Sequence, residues 1–214
     1  MTLHDSKKSL SRKIQFLVLV MIASIISILL HELGHCIFYW LQGIPAAMSL
    51  TKEFPLKDIT VTQHAIGCAG GPLANIFQIV IAYWLYQRDK VNPRIKKFLA
   101  ALILANAFYF IVISLSVLLK RSGGELEDAA NLVGLSYLYV VGLFAILTCT
   151  ILYLWVTRNG IKTSVKNGAC FLVLLIAYFA MLIGLWSIDS ELFWHKFPTI
   201  QIDDGRLYNE HLHK

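Results

Sequence analysis

The sequence predicts an all-α integral membrane protein with about five transmembrane helices and a short β-hairpin between the first two. Hydrophobic residues make up 57% of the chain and charged residues only 15%, whereas globular proteins carry about 25% charged residues. Long apolar runs alternate with short basic or polar turns. Because this number of charged residues is too small to cover a water-exposed surface, we expect much of the surface to face a lipid bilayer.

The first apolar run follows a basic N-terminus at residues 1–13 and continues from Ile14 to Leu41 without a clear small-residue cleavage site. A helix of this length measures about 40 Å, which is enough to cross a bilayer. Later runs predict four further spans, at about 64–86, 98–119, 131–156 and 168–188. The predicted membrane domain is therefore 14–188, and a polar tail follows at 189–214.

Basic residues cluster at the N-terminus and in the turns 88–97 and 158–166. With five spans these three segments share one side of the membrane, and the positive-inside rule makes that side cytoplasmic. The net charge of +6 then reflects membrane orientation, and we expect no nucleic-acid partner. The oligomeric state is left open by the sequence.

The segment between the first two spans has strand-like alternation at Ala46–Thr51 and Asp58–Thr62, around residues 52–55. This pattern predicts a β-hairpin at the membrane face, with an unstructured loop as the alternative. The four cysteines form no CxxC pair. They indicate neither a disulfide framework nor a thiolate zinc site, and we interpret them as small apolar packing residues.

The first span contains the sequence His31-Glu32-Leu33-Gly34-His35. Residues four apart share one helix face, so the two imidazoles can bind one ion while Glu32 lies near the remaining coordination positions. Zinc suits such a set when a third ligand completes it and one position stays open for water. Each ionisable residue at mid-membrane costs about 3 kcal/mol on insertion scales, so three within five positions indicate a function.

The third protein ligand must lie on the same side of the membrane as the two histidines. The predicted topology leaves His64 and the acidic stretch that precedes span four, with Glu125, Glu127 and Asp128. We favour the acidic stretch, because a carboxylate at the start of a span can turn inward toward the metal. His64 fits an interfacial position better.

Span two contains the small residues Gly67, Gly70 and Gly71, which allow close helix packing. Pro72 is expected to bend this helix, and Asn75 needs a polar partner inside a bilayer. An inward-facing Asn75 is therefore predicted.

These elements together resemble the site-2 proteases, a family of intramembrane zinc metalloproteases, over about residues 14–156. The resemblance implies that His31 and His35 are metal ligands, that Glu32 is the catalytic base, and that Gly71, Pro72 and Asn75 contact the substrate. The family's third ligand usually lies in an Asp-Gly pair after a proline-rich stretch. This chain has Glu-Asp-Ala-Ala-Asn without the prolines. The resemblance carries that role to Asp128, with Glu125, Glu127 and His64 as alternatives.

The expected function is therefore zinc-dependent hydrolysis of peptide bonds in membrane-spanning or membrane-anchored substrates, with the 44–63 hairpin receiving an unwound substrate by strand addition. One alternative is a zinc hydrolase of lipidated or exported peptides. Another is a non-proteolytic membrane protein that binds a metal or a partner.

Overall fold

A computed structural model describes residues 3–120, 125–158 and 165–208. The basic turn near Lys162 and the last tail residues, including His211 and His213, lie outside the described residues. Within that part of the chain the architecture is mostly helical, and its helices are α1 Leu3–Leu41, α2 Val61–Tyr86, α3 Pro93–Lys120, α4 Glu125–Leu132, α5 Tyr137–Arg158 and α6 Val165–Leu192.

Among the described residues, five helices are long and apolar enough to cross a membrane, as the sequence predicts. Their outward faces carry large apolar side chains: Phe77, Leu143 and Ile146 are each more than 60% exposed. Large exposed apolar surfaces of this kind are unusual in soluble proteins. The length and the surface of these helices are therefore compatible with a multi-pass membrane protein.

The predicted fourth span, 131–156, is interrupted in the structure, and the apolar helix α5 begins only at Tyr137. Gly134 has a φ of 69°, and the amide of Leu135 donates to the carbonyl of Ala130 at 3.0 Å. This is the Schellman arrangement that ends a helix with a left-handed glycine. The acidic stretch therefore forms a separate short helix, α4, instead of the first turn of a span.

The β-hairpin between α1 and α2 is confirmed, but its second strand is not where the sequence pattern placed it. Strand β1, Ala46–Met48, pairs antiparallel with β2, Glu53–Pro55. Residues predicted to form the turn thus belong to β2. Asp58–Thr62 is not a strand because Thr60 caps α2 through a reciprocal capping box with Gln63, which commits the backbone to a helix.

The tail continues α6 into a 3₁₀ turn at Trp194–Lys196 and a small hairpin, β3 Ile200–Gln201 paired with β4 Leu207–Tyr208. It docks on the loop before α2, where Ile59 forms a parallel bridge with Ile202. The predicted polar tail is therefore folded against the same end of the bundle as the first hairpin.

Two helices of the bundle approach each other unusually closely. A side chain added at Gly34 of α1 would collide with the backbone carbonyl of Gly70 in α2, so both positions need glycine. Small residues at such a crossing let backbones touch, which is the packing mode of membrane helices. This contact brings the His31–His35 face of α1 directly against α2.

Candidate metal centre

His31 and His35 lie one helical turn apart on α1 and point their rings at the same space. Their Nε2 atoms are 3.1 Å apart, and both residues are buried, with 3% and 0% of their surface exposed. The i, i+4 spacing on a regular helix produces this pair directly. The predicted two-histidine arrangement is therefore present in the structure.

The acidic residue beside this pair is Glu125, from the first turn of α4. Its Oε2 lies 3.3 Å from Nε2 of His31 and 3.3 Å from Nε2 of His35. Burial alone would raise the pKa of Glu125, but the neighbouring imidazoles of His35 and His31 hold it well below its usual range. A carboxylate that stays ionised is the form that binds a metal.

Asp128, which the family resemblance predicts as the third metal ligand, does not lie beside His31 and His35. Its Oδ2 is 3.4 Å from Nε2 of His64, and its Oδ1 accepts from Arg206 at 3.2 Å. The hydrogen bond with His64, reinforced by Arg206, lowers the pKa of Asp128. Asp128 lies three residues after Glu125, which places it nearly one turn further along α4, against α2 and the tail and away from His31 and His35.

The orientation of the His35 ring is set by the backbone of α2. Its Nδ1 is 2.8 Å from the carbonyl oxygen of Gly67. The amide of Gly71 also approaches Nδ1, at 3.2 Å. The carbonyl contact is shorter and a carbonyl can only accept, which favours the proton on Nδ1 and, in a neutral ring, a lone pair on Nε2. Metal-binding histidines commonly donate their second nitrogen to a carbonyl in this way.

The three groups have the spacing of a metal site. Ligands bonded to tetrahedral zinc at about 2.0 Å lie about 3.3 Å from one another, close to the 3.1 and 3.3 Å observed here. Among the described residues, Glu125 Oε2 and Nδ1 of His31 are buried without a hydrogen-bond partner. His31, His35 and Glu125 therefore fit a bound divalent ion, and zinc suits their donor set.

Glu32, the predicted base, is 5% exposed, and its Oε2 finds no hydrogen-bond partner in the described part of the chain. Glu53 of β2 is buried next to it: potential ligand atoms of Glu32, His35 and Glu53 all lie within 4.8 Å. The Tyr208 hydroxyl of the tail donates to Glu53 at 2.6 Å. Burial in this setting, with Glu53 adjacent, raises the pKa of Tyr208.

Sequence reasoning missed Glu53 as part of this site. It stands in what reads as a polar turn, and no spacing to the His31–His35 motif marks it. An acidic residue within a short strand that packs on the bundle could have marked Glu53 as part of the site. That indication requires the bounds of β2 to be predicted correctly, and the sequence pattern did not do so. Tyr109 was missed too; its hydroxyl lies 3.1 Å from Nε2 of His31.

The second-span motif borders the two histidines at one point. A side chain at Gly71 would overlap the rings of both His31 and His35, so glycine is required there. Pro72 and Asn75 are also buried in α2. Asn75 accepts from Gln78 at 3.2 Å, while its own amide nitrogen has no partner among the described residues. The predicted inward orientation of Asn75 is confirmed.

A cavity of about 560 Å³ leads to the centre between α1, α3 and α6. Glu32, His31 and Glu125 lie on its wall together with Tyr109 and Thr51. The remaining lining is mostly aliphatic or aromatic and comes from Ile28, Val112, Ile113, Phe179, Leu182, Ile183, Trp186 and Ser187. Gly71, Pro72 and Asn75 are not part of this wall. The cavity is mostly apolar, and its carboxyl and imidazole groups are those of His31, Glu32 and Glu125.

The comparisons with known proteins are negative: no family model, no curated protein and no solved structure matches the chain.

Proposed function

We propose that the chain is a zinc-dependent membrane endopeptidase, similar in its chemistry to the site-2 proteases. The observation that carries the proposal is the convergence of His31, His35 and Glu125, with Glu32 beside them, at the end of a mostly apolar cavity. Metal binding alone needs the first three residues. Hydrolysis also needs a general base, and Glu32 supplies a buried carboxyl on the cavity wall with an oxygen that is unpartnered among the described residues.

In this proposal His31, His35 and Glu125 hold the ion. A bound zinc ion supplies Lewis acidity, which polarises a peptide carbonyl and acidifies water. The alternatives Asp128 and His64 are less suited to this centre because they are paired with each other at 3.4 Å. Glu125 is thus preferred to Asp128 as the third ligand.

Glu32 acts as the general base and then as the general acid. It accepts a proton from the attacking water and delivers that proton to the amine released from the peptide bond. Its position on the cavity wall puts the carboxyl where a substrate backbone would reach the histidines. Glu53, anchored by Tyr208, restricts the space available to the Glu32 side chain.

The substrate in this proposal is an apolar, membrane-spanning or membrane-anchored segment. Pockets of about 300 to 1,000 Å³ hold ligands of drug size, so about 560 Å³ admits a short unwound stretch and not an intact helix. Strand addition to β1 is less favoured, because the carbonyls of Ala46 and Ala47 already accept from Trp40 and Cys36. Entry between α1, α3 and α6 is the preferred route.

We place the protein in the membrane as a five-span chain with a cytoplasmic N-terminus. Five long apolar helices support the spans, and the basic turns support the orientation. The first hairpin, α4 and the docked tail then share the opposite face. The contacts of the tail with Glu53 and Asp128 agree with that grouping.

The test is peptide-bond hydrolysis by the purified full chain, reconstituted in liposomes with solubilised membrane proteins of the expression host. New N-termini are labelled and identified by mass spectrometry for wild type, Glu32→Gln and the exposed control Glu191→Gln. We expect cuts within or beside apolar segments for wild type and the control, lost on chelation and restored by zinc. Equal sets of N-termini from wild type and Glu32→Gln, with zinc bound to both, would overturn the proposal.

The position of the cuts separates the substrate classes. Cuts inside spanning segments support the intramembrane activity. Cuts confined to lipid-anchored or exported peptides would move the function to the alternative zinc hydrolase.

A further inference from the structure

A second cluster of metal-binding side chains lies beside the proposed centre. His64 Nε2 is 3.4 Å from Oδ2 of Asp128 and 3.6 Å from Sγ of Cys68. The potential ligand atoms of these three residues all lie within 4.8 Å of one another. His64 and Cys68 are buried, with 5% and 1% of their surface exposed. None of the three belongs to the first centre.

The separations within the cluster are close to those between ligands bonded to one ion. With bonds of about 2.0 Å to nitrogen or oxygen and about 2.3 Å to sulfur, tetrahedral zinc separates nitrogen from oxygen by about 3.3 Å and nitrogen from sulfur by about 3.5 Å. The observed separations are 3.4 and 3.6 Å. Sγ is also 3.9 Å from Nδ1, so it lies beside the imidazole ring, and the Cys68 side chain must rotate to share an ion with Nε2. His64 and Cys68 are four residues apart on α2, so a regular helix holds them on one face.

The surroundings also orient these groups as ligands. Nδ1 of His64 is 3.1 Å from the hydroxyl of Tyr39, a fully buried residue. With an ion bound, Nδ1 would donate to Tyr39, and Nε2 would exchange its hydrogen bond with Asp128 for a bond to the ion. Arg206 occupies Oδ1 of Asp128 and leaves Oδ2 for an ion. Outer partners of this kind fix metal ligands in place.

We propose that His64, Cys68 and Asp128 form a second metal site, which takes Zn²⁺ or another divalent ion that accepts a thiolate ligand. The donor set differs from the first centre because it contains sulfur, which favours softer ions. A cavity of about 700 Å³ reaches Asp128 and Arg206, so an ion can approach the cluster from the side of Asp128.

The ion would hold α4 against α2. Glu125 and Asp128 are three residues apart on α4, so an ion bound at Asp128 also fixes the position of Glu125 at the first centre. The second site is therefore a structural support for the third ligand of the first. The site itself needs no catalysis, so it stands or falls separately from the proposed peptidase activity.

The test uses cobalt as the probe, with the detergent-purified full chain stripped by chelator and reloaded with Co²⁺. Wild type should bind about two ions per chain and show a near-ultraviolet thiolate-to-cobalt charge-transfer band, since only the second site supplies sulfur. Cys68→Ser should lose the band and about one ion per chain. Cys36→Ser, a buried cysteine outside the cluster, should keep both.

Further variants separate the two sites and guard against misfolding. His35→Ala should lose one ion but keep the band, whether or not the chain is a peptidase. Asp128→Asn preserves the shape of the side chain. It should weaken the affinity for the cobalt ion that produces the charge-transfer band by at least about 10-fold. Size-exclusion elution and helical circular dichroism check that each variant is folded.

The proposal is overturned if cobalt-loaded wild type shows no charge-transfer band. It is also overturned if folded Cys68→Ser binds as many ions as wild type. Either result would make the cluster a hydrogen-bonded His64–Asp128 pair with a neighbouring cysteine.

Discussion

Two buried carboxyl groups of this protein have opposite surroundings. Asp189 of α6 is fully buried and accepts five hydrogen bonds, which come from the hydroxyl of Ser49, the amides of Leu50 and Thr51, the hydroxyl of Thr51 and the indole of Trp194. Glu32 is also buried, with 5% of its surface exposed, but one of its oxygens has no partner among the described residues.

The difference indicates that the two buried carboxyl groups have different roles, although burying either one costs free energy of desolvation. A buried carboxylate is stable only when donors replace the water it has lost. Asp189 has those donors and joins α6 to the loop between β1 and β2. Glu32 keeps one oxygen without a donor among the described residues, which is the condition of a group that can bind a ligand or take part in proton transfer. The comparison can be tested by replacing each group in turn.

The largest expected effect follows Glu32→Gln. Loss of a positioned general base should lower the cleavage rate by about 10²- to 10⁴-fold, while bound zinc and the melting temperature stay at or above their wild-type values. The rate is measured on a substrate peptide identified from the N-terminal labelling, and the metal by elemental analysis. A variant that loses zinc or melts earlier would show that Glu32 is structural.

The next effect in size is expected for Glu125→Gln. Replacing a residue that only supports a metal ligand typically weakens metal affinity by about 10- to 100-fold. Because Glu125 contacts both histidines and is itself assigned as a ligand, its replacement should weaken zinc affinity by more than this. Zinc competition with a chelating dye measures the affinity. Glu127→Gln, on the same helix and outside the His31–His35–Glu125 group, is the matched control. Equal affinities for the two variants would contradict the assignment of Glu125.

Asp189→Asn should act on stability instead. Removing the charge weakens hydrogen bonds to a charged acceptor, which contribute about 1.5 to 3 kcal/mol in proteins, so we expect thermal unfolding at a lower temperature. The control is Ser190→Ala, because the hydroxyl of Ser190 donates to the carbonyl of Ser187 in its own helix. If Asp189→Asn is as stable as this control, Asp189 does not stabilise the fold in the way that its hydrogen bonds suggest, and the contrast with Glu32 fails.

The smallest effect is expected for Arg206→Gln. Its pair with Asp128 is 3.2 Å long, but the arginine side chain is 48% exposed, and exposed ion pairs contribute less than about 1 kcal/mol. The melting temperature should change little and should lose its dependence on salt concentration. A loss as large as that of Asp189→Asn would mean that the tail is held mainly by this contact.

The helices and the histidine pair were predictable because their signals are local. Apolar runs determine the long helices, and the four-residue spacing of His31 and His35 determines their common face. The choice between Glu125 and Asp128 was not predictable in the same way. Both lie on one face of α4. Which of them reaches the histidines depends on where that short helix packs against α2, and α4 is a separate helix because Gly134 ends it before α5.

The remaining errors have the same origin. The strand alternation around 52–55 indicated a hairpin, but the capping box at Thr60 decided that the residues after it are helical. The place of Glu53 beside Glu32 depends on that register. The docking of the tail depends on contacts between residues more than 100 positions apart, such as Tyr208 with Glu53. No local pattern encodes such pairings.

The long range of the Asp189 contacts also bears on biogenesis. Asp189 and Leu50 are 139 residues apart in sequence, so the contacts of Asp189 with the loop that supplies Thr51 to the cavity wall form only after α6 has been synthesised. Contacts of such high sequence separation form late in folding. If the chain is the peptidase that we propose, its cavity would be complete only at the end of synthesis, and neighbouring proteins would be spared from premature cutting.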